Sequence, residues 1–321
     1  MKPYGWYYRL KDFFQEKFGY RVRKIPLAAG LSCPNRDGTI SEGGCIYCYN
    51  PGFSPGVLTG VQECSPLPPG EIAKQIHSFQ ARMEKRQEED FRPEGKYLAY
   101  FQAYSNTYGE PAYLESLYRE ALGCPGIVGL SIATRPDCLS DAILKVLESL
   151  AAETHLWLEL GLQTAHDRTL KLINRGHDFA CFQEAVLACR GKGIYLCAHI
   201  INGLPGESRE DMLETVRRLN ELELDGIKFH HLQVIKNTAL HAMYERLEFK
   251  LLSLEEYTGI LCDQLEIMRR DMVVHRLMSE ITDKQLLVAP QWRIHPGLFA
   301  SMVERELRRR KSFQGCKHVK K

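Results

Sequence analysis

Three cysteines lie close together near the N-terminus, in the segment CPNRDGTISEGGCIYC that runs from Cys33 to Cys48. Their spacing, C-x11-C-x2-C with Cys45 in the middle, brings three thiolates within reach of one metal site. A structural zinc ion needs four ligands, and Cys64 is a candidate for the fourth. An iron–sulfur cluster also takes cysteine thiolates, and a cluster held by only three leaves one iron open to another ligand. On spacing alone, zinc, a cluster and no metal all remain open.

The composition indicates in which cellular compartment these thiols lie. The chain has 321 residues, of which 44% are hydrophobic, with no apolar run of eighteen residues and no signal-peptide segment at its start. We therefore expect a cytoplasmic protein that has no membrane partner. In that reducing compartment most of the 11 cysteines are expected to be buried thiols rather than halves of disulfides.

The formal net charge of +2 is unevenly distributed along the chain. Residues 1–24 carry a net charge of +5 and residues 304–321 carry +6, which leaves −9 for the residues between them. Two basic ends on an acidic body suit a polyanionic partner that is met at the termini. A solubilising tail explains the C-terminal run equally well.

Apolar, strand-like runs alternate with helical patterns over most of the chain. The runs are near-continuously apolar, as strands covered on both faces tend to be. The helical patterns begin at cap signals such as Ser140, and at Ser208 with Asp211 three residues later, which is close to a capping box. The alternation repeats about six times and predicts a parallel sheet with right-handed crossovers. The predicted strands are 21–28, 97–103, 127–133, 156–162, 194–201 and 226–234.

This α/β pattern favours a partial (β/α)6 TIM-like barrel over a Rossmann sheet, because no G-x-G-x-x-G follows the first strand. We predict a basic N-terminal extension over 1–24, a core barrel over 25–235 and a C-terminal extension with a basic tail over 236–321. That last part is expected to hold a long helix, a further strand over 272–278 and a basic helix over 302–312. The cysteines follow the first strand and so lie at the C-terminal mouth, where barrels of this kind do their chemistry.

The cysteine segment, with Tyr47 before the last cysteine, resembles the cluster loop of radical S-adenosylmethionine (SAM) enzymes. Its long first spacing is similar to the branch that contains the catalytic subunit of Elongator, which modifies tRNA wobble uridine. Blocks with the sequences TRPD, ELGLQ and GLPGE match that branch in order, and YFQAYSNTY with VAPQW resembles the YhcC/YtqA-type proteins. These five blocks begin at Thr134, Glu159, Gly203, Tyr100 and Val288.

The resemblance implies a radical SAM core barrel whose [4Fe–4S] cluster is bound by Cys33, Cys45 and Cys48, with SAM as the ligand of the remaining iron. One electron from the cluster would then cleave SAM to a 5′-deoxyadenosyl radical. An electron donor such as flavodoxin or ferredoxin is implied with it. The resemblance places Gln163 at the ribose of SAM and Arg175 at the methionine carboxylate, where a guanidinium fork suits the ligand.

Alanine stands at position 133, where many relatives carry a glutamate that helps to hold SAM. We expect Glu159 or a side chain of the second main strand to compensate for that missing carboxylate. The other contacts that the resemblance implies are the backbone of Tyr47 and Ile201 beside the adenine, and Ser105 and Asn106 beside the methionine amino group.

The substrate that the resemblance implies is a tRNA base, most narrowly the 5-substituent of wobble uridine. Aromatic residues near 4–9 and 292–293 are expected to be exposed and to stack an unpaired base. Because 321 residues leave no room for the acetyltransferase domain of the Elongator subunit, we do not expect acetyl-CoA chemistry. The predicted contacts with RNA phosphates are Arg308, Arg309, Arg310 and Lys311.

Two alternatives to a tRNA-modifying enzyme remain at this point. One is a radical SAM enzyme that acts on a small metabolite or on a protein. The other is a non-catalytic RNA-binding protein that a zinc ion stabilises through the same cysteines.

Overall fold

The computed structural model describes residues 5–49, 65–85, 96–281 and 283–319. Among these residues, seven strands run parallel in one sheet that curls into a half-barrel, and two short strands pair apart from it. The predicted α/β class and partial barrel are confirmed. The strands are β1 (Val22–Leu27), β2 (Lys96–Phe101), β3 (Ile127–Thr134), β4 (His155–Gln163), β5 (Tyr195–Asn202), β6 (Gly226–His231), β7 (Val234–Ile235), β8 (Val273–Arg276) and β9 (Leu287–Ala289).

The barrel sheet has the order β1-β2-β3-β4-β5-β6-β8, while β7 and β9 form the separate antiparallel pair. Helices join the barrel strands and pack on the outer face of the sheet. No helix of the described residues is both long and apolar enough to cross a membrane. The helices are α1 (Leu10–Phe18), α2 (Glu71–Lys85), α3 (Pro111–Leu122), α4 (Asp141–Glu153), α5 (Asp167–Leu172), α6 (Phe179–Cys189), α7 (Arg209–Asn220), α8 (Ala239–Glu245), α9 (Leu254–Ile267) and α10 (Pro296–Arg309).

Local signals of the sequence set several helix starts. The Ser140 side chain accepts a hydrogen bond from the backbone N–H of Ile143, and so caps α4 as predicted. Ser208 and Asp211 form the full capping box of α7, because each side chain accepts from the backbone of the other residue. The seventh strand comes from the C-terminal extension, since β8 pairs in parallel with β6. One strand of the barrel sheet therefore lies outside the predicted range 25–235.

The strand β4 shows how the barrel separates its two faces. Its sequence HLWLELGLQ alternates, and the leucines at even positions pack into the main core beneath the helices. The odd positions face the barrel interior, where Trp157 packs at one level and Glu159 and Gly161 line the cavity above it. Because side chains on a strand alternate between faces, a continuous apolar run still presents polar groups to the interior.

Aromatic side chains fill the N-terminal end of the barrel. Tyr8 and Phe14 of the N-terminal segment are buried there in one cluster with Trp157 of β4, and the ring of Phe13 contacts those of His155 and Trp157 at 5.7 and 5.4 Å between centroids. The prediction of exposed base-stacking aromatics near residues 4–9 is therefore wrong for Tyr8, which is 7% exposed. The N-terminal segment instead covers the N-terminal end of the barrel.

Candidate active site

One cavity opens at the C-terminal ends of the barrel strands, and all three cysteines of the CPNRDGTISEGGCIYC segment line it. Cys33 lies shortly after the end of β1, so this segment is positioned by the first barrel strand, as predicted. The other walls come from the ends of the strands that follow along the sheet. The lining includes Tyr47, Tyr100, Ser105, Glu159, Gly161, Gln163, Arg175, Ile201, Lys228 and Arg276.

Two asparagines hold the cysteine segment against the turn that follows α5. The Asn174 side-chain amide donates to the Gly44 carbonyl over 2.9 Å, and the Asn35 amide donates to the Asn174 carbonyl over 2.6 Å. Asn35 also lies 3.6 Å from the Sγ of Cys45. Gly176 in the same turn has φ of +78°, and a Cβ there would meet Asn35 Oδ1 at 2.5 Å, so the close approach requires glycine. Neither asparagine was predicted from the sequence as a site residue, because asparagine is not one of the usual metal-ligand types in such a segment.

The three thiols share the cavity without forming a closed site for one ion. Cys45 is 7% exposed, and burial together with the charges of Cys45 and Cys33 raises the pKa of Cys48 to about 12. Among the described residues, no three His, Cys, Asp or Glu side chains are gathered tightly enough for a single metal ion. One zinc ion would draw its sulfur ligands to within about 4 Å of each other, because each Zn–S bond is about 2.3 Å long. Thiolates that each bind a different iron of a cluster stand further apart.

Arg175 places a cation between the cysteines and β4. It is 6% exposed, and it donates through Nη1 to the Sγ of Cys45 at 3.5 Å and through Nη2 to the carbonyl of Gly161. Its Nε is buried and has no hydrogen-bond partner in the described part of the chain. The charge of Asp137 acts on Arg175, but that carboxylate pairs with Arg135 at 2.7 Å, and no described carboxylate pairs with Arg175. The free donor of Arg175 therefore suits an anionic ligand group beside the cysteines.

Gln163 and Ser105 add two further polar groups to the same cavity. Gln163 ends β4 with φ of +83°, a conformation that costs free energy for any residue but glycine and that recurs at functional sites. Gly161 makes this arrangement possible, because a Cβ there would meet Arg175 Nη2 at 2.7 Å and Gln163 Nε2 at 2.9 Å. Ser105 is 1% exposed, and its Oγ makes no hydrogen bond with any described residue.

Of the SAM candidates Tyr47, Ile201 and Asn106, the structure brings the first two to the cavity and leaves the third outside. Tyr47 and Ile201 line it and pack in one apolar cluster. Asn106 is fully buried behind the wall, where its amide donates to the carbonyls of Phe101 and Ala133 at 3.1 and 2.8 Å. Its side chain therefore joins β2 to β3, and the contact with SAM stays a prediction.

Glu159 lies one layer deeper in the barrel, surrounded by donors. It is fully buried and accepts from Lys24, from Ser131 at 2.6 Å and from Lys228 at 2.8 Å. His199 Nε2 and the hydroxyl of Tyr100 lie 2.6 and 3.3 Å from its Oε2. Burial opposes ionisation, but the charges of Lys228 and Lys24 outweigh it and hold the pKa of Glu159 well below its usual range. Its oxygens are thus saturated, and a contact with SAM stays a prediction that would need one of these bonds to break.

The inner charged layer of the barrel, as we name it here, consists of Lys24, Tyr100, Glu159, Lys228 and Arg276. Its members come from β1, β2, β4, β6 and β8, so five strands contribute one side chain each. Of the five, only Glu159 was predicted from the sequence as a site residue. The available signal was a charged residue inside an otherwise apolar strand, as in GIKFHH around Lys228.

The basic run that was predicted to contact RNA lies at the opposite end of the barrel from the cavity. It closes α10 next to the N-terminal segment, where the guanidinium of Arg308 lies 5.5 Å from the ring centroid of Trp6. Just beyond the run, the Gln314 amide donates to the carbonyl of Met272, which precedes β8 at its N-terminal end. Arg309 pairs with Glu306 at 2.8 Å, and Arg310 pairs with Glu306 and with Asp263. Acidic neighbours thus offset part of the positive charge of this run.

Comparisons with known proteins agree with this geometry. Residues 39–219 match the profile of the radical SAM superfamily, and residues 224–309 match that of the radical SAM C-terminal domain. The chain is 40% identical to YtqA of Bacillus subtilis over 309 residues, which cover 96% of this chain and 92% of YtqA. The chain belongs to the radical SAM superfamily. It is also 40% identical to YhcC of Escherichia coli K12, over 86% of this chain and 84% of that protein.

More distant proteins share the fold or part of the sequence. Elp3 of Methanocaldococcus infernus superposes with a TM-score of 0.67 at 18% identity, over 91% of this chain and 64% of that one. A tRNA uridine(34) acetyltransferase of the same organism is 29% identical over 157 residues, which are 48% of this chain and 29% of that protein. The resemblance to the Elongator-like branch and to the YhcC/YtqA type is thereby confirmed.

Membership of the radical SAM superfamily identifies the cofactors as a [4Fe–4S] cluster and SAM, and such enzymes require a reductant. The cavity suits both groups, because it is lined by three thiols and by Arg175 and Ser105, whose Nε and Oγ make no hydrogen bond with a described residue. The family sets aside the alternative of a non-catalytic zinc-stabilised RNA-binding protein. Cys64, the candidate fourth zinc ligand, lies outside the described residues.

Proposed function

We propose that this radical SAM enzyme modifies a tRNA base, most narrowly the 5-substituent of wobble uridine. The observation that carries the reaction class is the meeting of three thiols with the unused donors of Arg175 and Ser105 in one cavity. The alignment of 48% of the chain with a protein named tRNA uridine(34) acetyltransferase supports the choice of tRNA. The basic segments at 1–24 and 304–321 add sites for phosphate contacts.

In this proposal Cys33, Cys45 and Cys48 hold the cluster, and the chain's other residues orient SAM. When bound, the cluster and SAM supply a one-electron reductive cleavage that gives methionine and a radical able to abstract hydrogen from the substrate. Arg175 holds the methionine carboxylate beside Cys45, where a planar guanidinium offers two parallel donors. Ser105 binds the amino group, because its hydroxyl is buried in the cavity with its lone pairs unused.

The remaining walls position the nucleoside end and exclude water. Gln163 donates to the ribose from the end of β4, held in place by its unusual backbone conformation. Tyr47 and Ile201 cover the adenine with apolar surface. A tRNA base must leave its stack to reach this depth, as bases do in other enzymes that act on them.

Metal and sulfide analysis of anaerobically prepared protein tests the reaction class. We expect about four irons per chain in the reconstituted wild type, the content of one [4Fe–4S] cluster, and loss of that iron in the Cys45→Ala variant. Cys262→Ala is a matched control, because Cys262 is a buried thiol beneath the helices and outside the cavity. Zinc in place of iron under the same conditions would overturn the proposal.

A second experiment tests the tRNA. With SAM and a reductant, bulk tRNA is expected to stimulate release of 5′-deoxyadenosine. The tRNA is also expected to show a mass change that is confined to the uridine at the wobble position. A tRNA with guanosine at that position is the control. If 5′-deoxyadenosine forms while no tRNA stimulates it or changes mass, the substrate is not tRNA.

The inner charged layer favours a second candidate, a small anionic metabolite. Lys228 and Arg276 both line the cavity from the side of β6 and β8, and neither belongs to the cysteine segment. A compact acid could enter this space without base flipping. Stimulation of 5′-deoxyadenosine release by a fractionated small-molecule pool, and not by tRNA, distinguishes this candidate.

A further inference from the structure

The inner charged layer carries more positive charge than its carboxylate can balance. Three of its side chains are cations, Lys24, Lys228 and Arg276, while Glu159 is its single acid. Lys24 and Lys228 both contact Glu159, and both ammonium groups also lie 4.7 Å from the ring centroid of Tyr100. The two lysines therefore already share one negative charge before Arg276 is counted.

Arg276 has no acidic partner within ion-pair distance among the described residues. Its Nη2 lies 2.7 Å from Nδ1 of His230, and its buried Nε makes no hydrogen bond there. Glu280 also lines the cavity and is exposed, and its charge, like that of Glu159, acts on Arg276 without an ion pair between the side chains. The guanidinium is thus held beside a neutral imidazole, with donors left over toward the cavity.

The surplus charge persists at neutral pH. Burial lowers the pKa of Lys228 to about 8, although Glu159 acts in the opposite direction, so the amine stays protonated at pH 7. Burial also lowers the pKa of Arg276, but a guanidinium remains charged in proteins. The nearby imidazoles do not add charge, since burial lowers the pKa of His199 to about 4 and that of His230 well below its usual range.

A cation that is largely shielded from water and has no counter-ion in contact costs free energy, and an anionic ligand group can supply the missing charge. We propose that the inner charged layer binds an oxyanion of the substrate, a carboxylate or a phosphate, between Arg276 and Lys228. The inference rests on the proposed function in that it assigns this oxyanion to the molecule on which the radical acts. The planar fork of Arg276 offers paired donors to such a group, and the ammonium of Lys228 adds a point charge.

The position of the layer separates this oxyanion from the carboxylate of SAM. Arg175 reaches β4 at the carbonyl of Gly161, whereas the inner charged layer centres on Glu159, two residues earlier on the strand. Two residues of a strand span about 7 Å, so Glu159 lies one side-chain level below Gly161. Lys228 and Arg276 line the cavity from β6 and β8, which are two and three strands away from β4 in the sheet. SAM held beside Cys45 by Arg175 would leave Arg276 and Lys228 for the second molecule.

Anion binding to the whole protein, measured by titration calorimetry and by thermal unfolding, tests the proposal. The probes are malonate for a carboxylate and inorganic phosphate, each compared with chloride at equal ionic strength. We expect saturable binding of at least one probe and a rise in melting temperature with its concentration. Malonate alone would point to a carboxylate, free or attached to a base, and phosphate alone to a phosphorylated or nucleotide substrate.

The decisive variant is Arg276→Gln. Because Arg276 forms no ion pair with a described acid, its removal leaves no carboxylate unpaired. We expect its unliganded melting temperature to equal or exceed that of the wild type and its affinity for the probe to fall roughly tenfold or more. Arg276→Lys keeps the charge without the fork and is expected to lie between the two. Arg217→Gln on the exposed face of α7 is the control and should bind as the wild type does.

Three results would overturn the proposal. The first is that neither probe binds to the wild type, and the second is that a probe binds equally well to the Arg276→Gln variant. The third is that this variant loses affinity for SAM by the same factor as for the probe, which would assign the layer to SAM. Release of 5′-deoxyadenosine is measured separately on the same samples. Binding of the probe without SAM cleavage would reject the proposed function and leave the anion site standing.

Discussion

Arg175 is a buried cation whose close neighbours are a thiol and a carbonyl rather than a carboxylate. Replacement of Arg175 by lysine keeps the charge but removes the planar fork. We expect Arg175→Lys to retain its iron and to bind SAM about 10- to 100-fold more weakly, which corresponds to the loss of one charge-assisted hydrogen bond. Calorimetric titration with SAM measures the change.

The exposed Arg168 of α5, a few residues away, offers a matched control, because Arg168→Lys alters an arginine that is paired with Asp211 at 2.6 Å. Unchanged SAM affinity in Arg175→Lys would show that the methionine carboxylate is held elsewhere.

His155 is a buried histidine with no hydrogen-bond partner for either ring nitrogen in the described residues. Burial lowers its pKa from 6.5 to about 3, with the charges of Lys17 and Lys24 acting in the same direction. The unfolded chain therefore binds more protons between these two pH values, so folding stability is lost as the pH falls below 6.5. Over the fall from pH 6.5 to 5 this single group accounts for about 2 kcal/mol.

We expect His155→Phe to unfold at an equal or higher denaturant concentration at pH 7 and to lose about 2 kcal/mol less than the wild type between pH 6.5 and 5. The aromatic neighbours Phe13 and Trp157 favour this replacement. Urea titrations at both pH values provide the comparison. Parallel pH profiles for the two proteins would mean that His155 already binds a proton in the folded state.

At the scale of elements, the cysteine segment depends on the turn after α5. Asn174 has φ of +50° and donates to Gly44 and, at 3.1 Å, to Ser41. Asn174→Ala removes both bonds and a residue type that tolerates this backbone conformation, at a cost of about 1–3 kcal/mol. We expect the variant to fold and to lose iron to a chelator faster than the wild type.

Glu223→Ala is the control for the backbone effect, because Glu223 also has a positive φ, +55°, but is exposed in the turn between α7 and the start of β6. Iron is counted per chain at intervals after addition of the chelator. Equal rates of loss for Asn174→Ala and the wild type would mean that the turn does not hold the cluster segment.

At the scale of the whole molecule, the cavity and the basic run at the end of α10 lie at opposite ends of the barrel. A tRNA that places one base in the cavity would have to reach around the barrel to meet this run. We expect the double replacement Arg308→Gln and Lys311→Gln to weaken tRNA binding and to reduce the slope of log affinity against log salt by about 0.7 to 0.9 per lost phosphate contact.

Filter binding of tRNA at several salt concentrations measures that slope. The double replacement Arg217→Gln and Lys192→Gln removes two cations from the outer helical face and serves as the control for net charge. An unchanged slope in the Arg308 and Lys311 variant would leave this run as a solubilising segment.

Local features of this protein could be read from its sequence because near neighbours in the chain create them. The spacing of Cys33, Cys45 and Cys48 limits the kinds of metal group, and the side chains of Ser140 and Ser208 cap their own helices. The repeated alternation of strand and helix predicts a parallel sheet, and a parallel barrel places the loop after the first strand at its mouth. These inferences use only distances along the chain.

The tertiary structure alone decided which distant charges meet. Lys24, Glu159 and Arg276 are separated by more than a hundred residues each, and they share a layer only because their strands pair in a particular register. A shift of one residue in any of these strands would turn its side chain toward the helices. The same long-range pairing brings β8 into the sheet and carries the basic run away from the cavity, because neither result depends on residues that are neighbours in the chain.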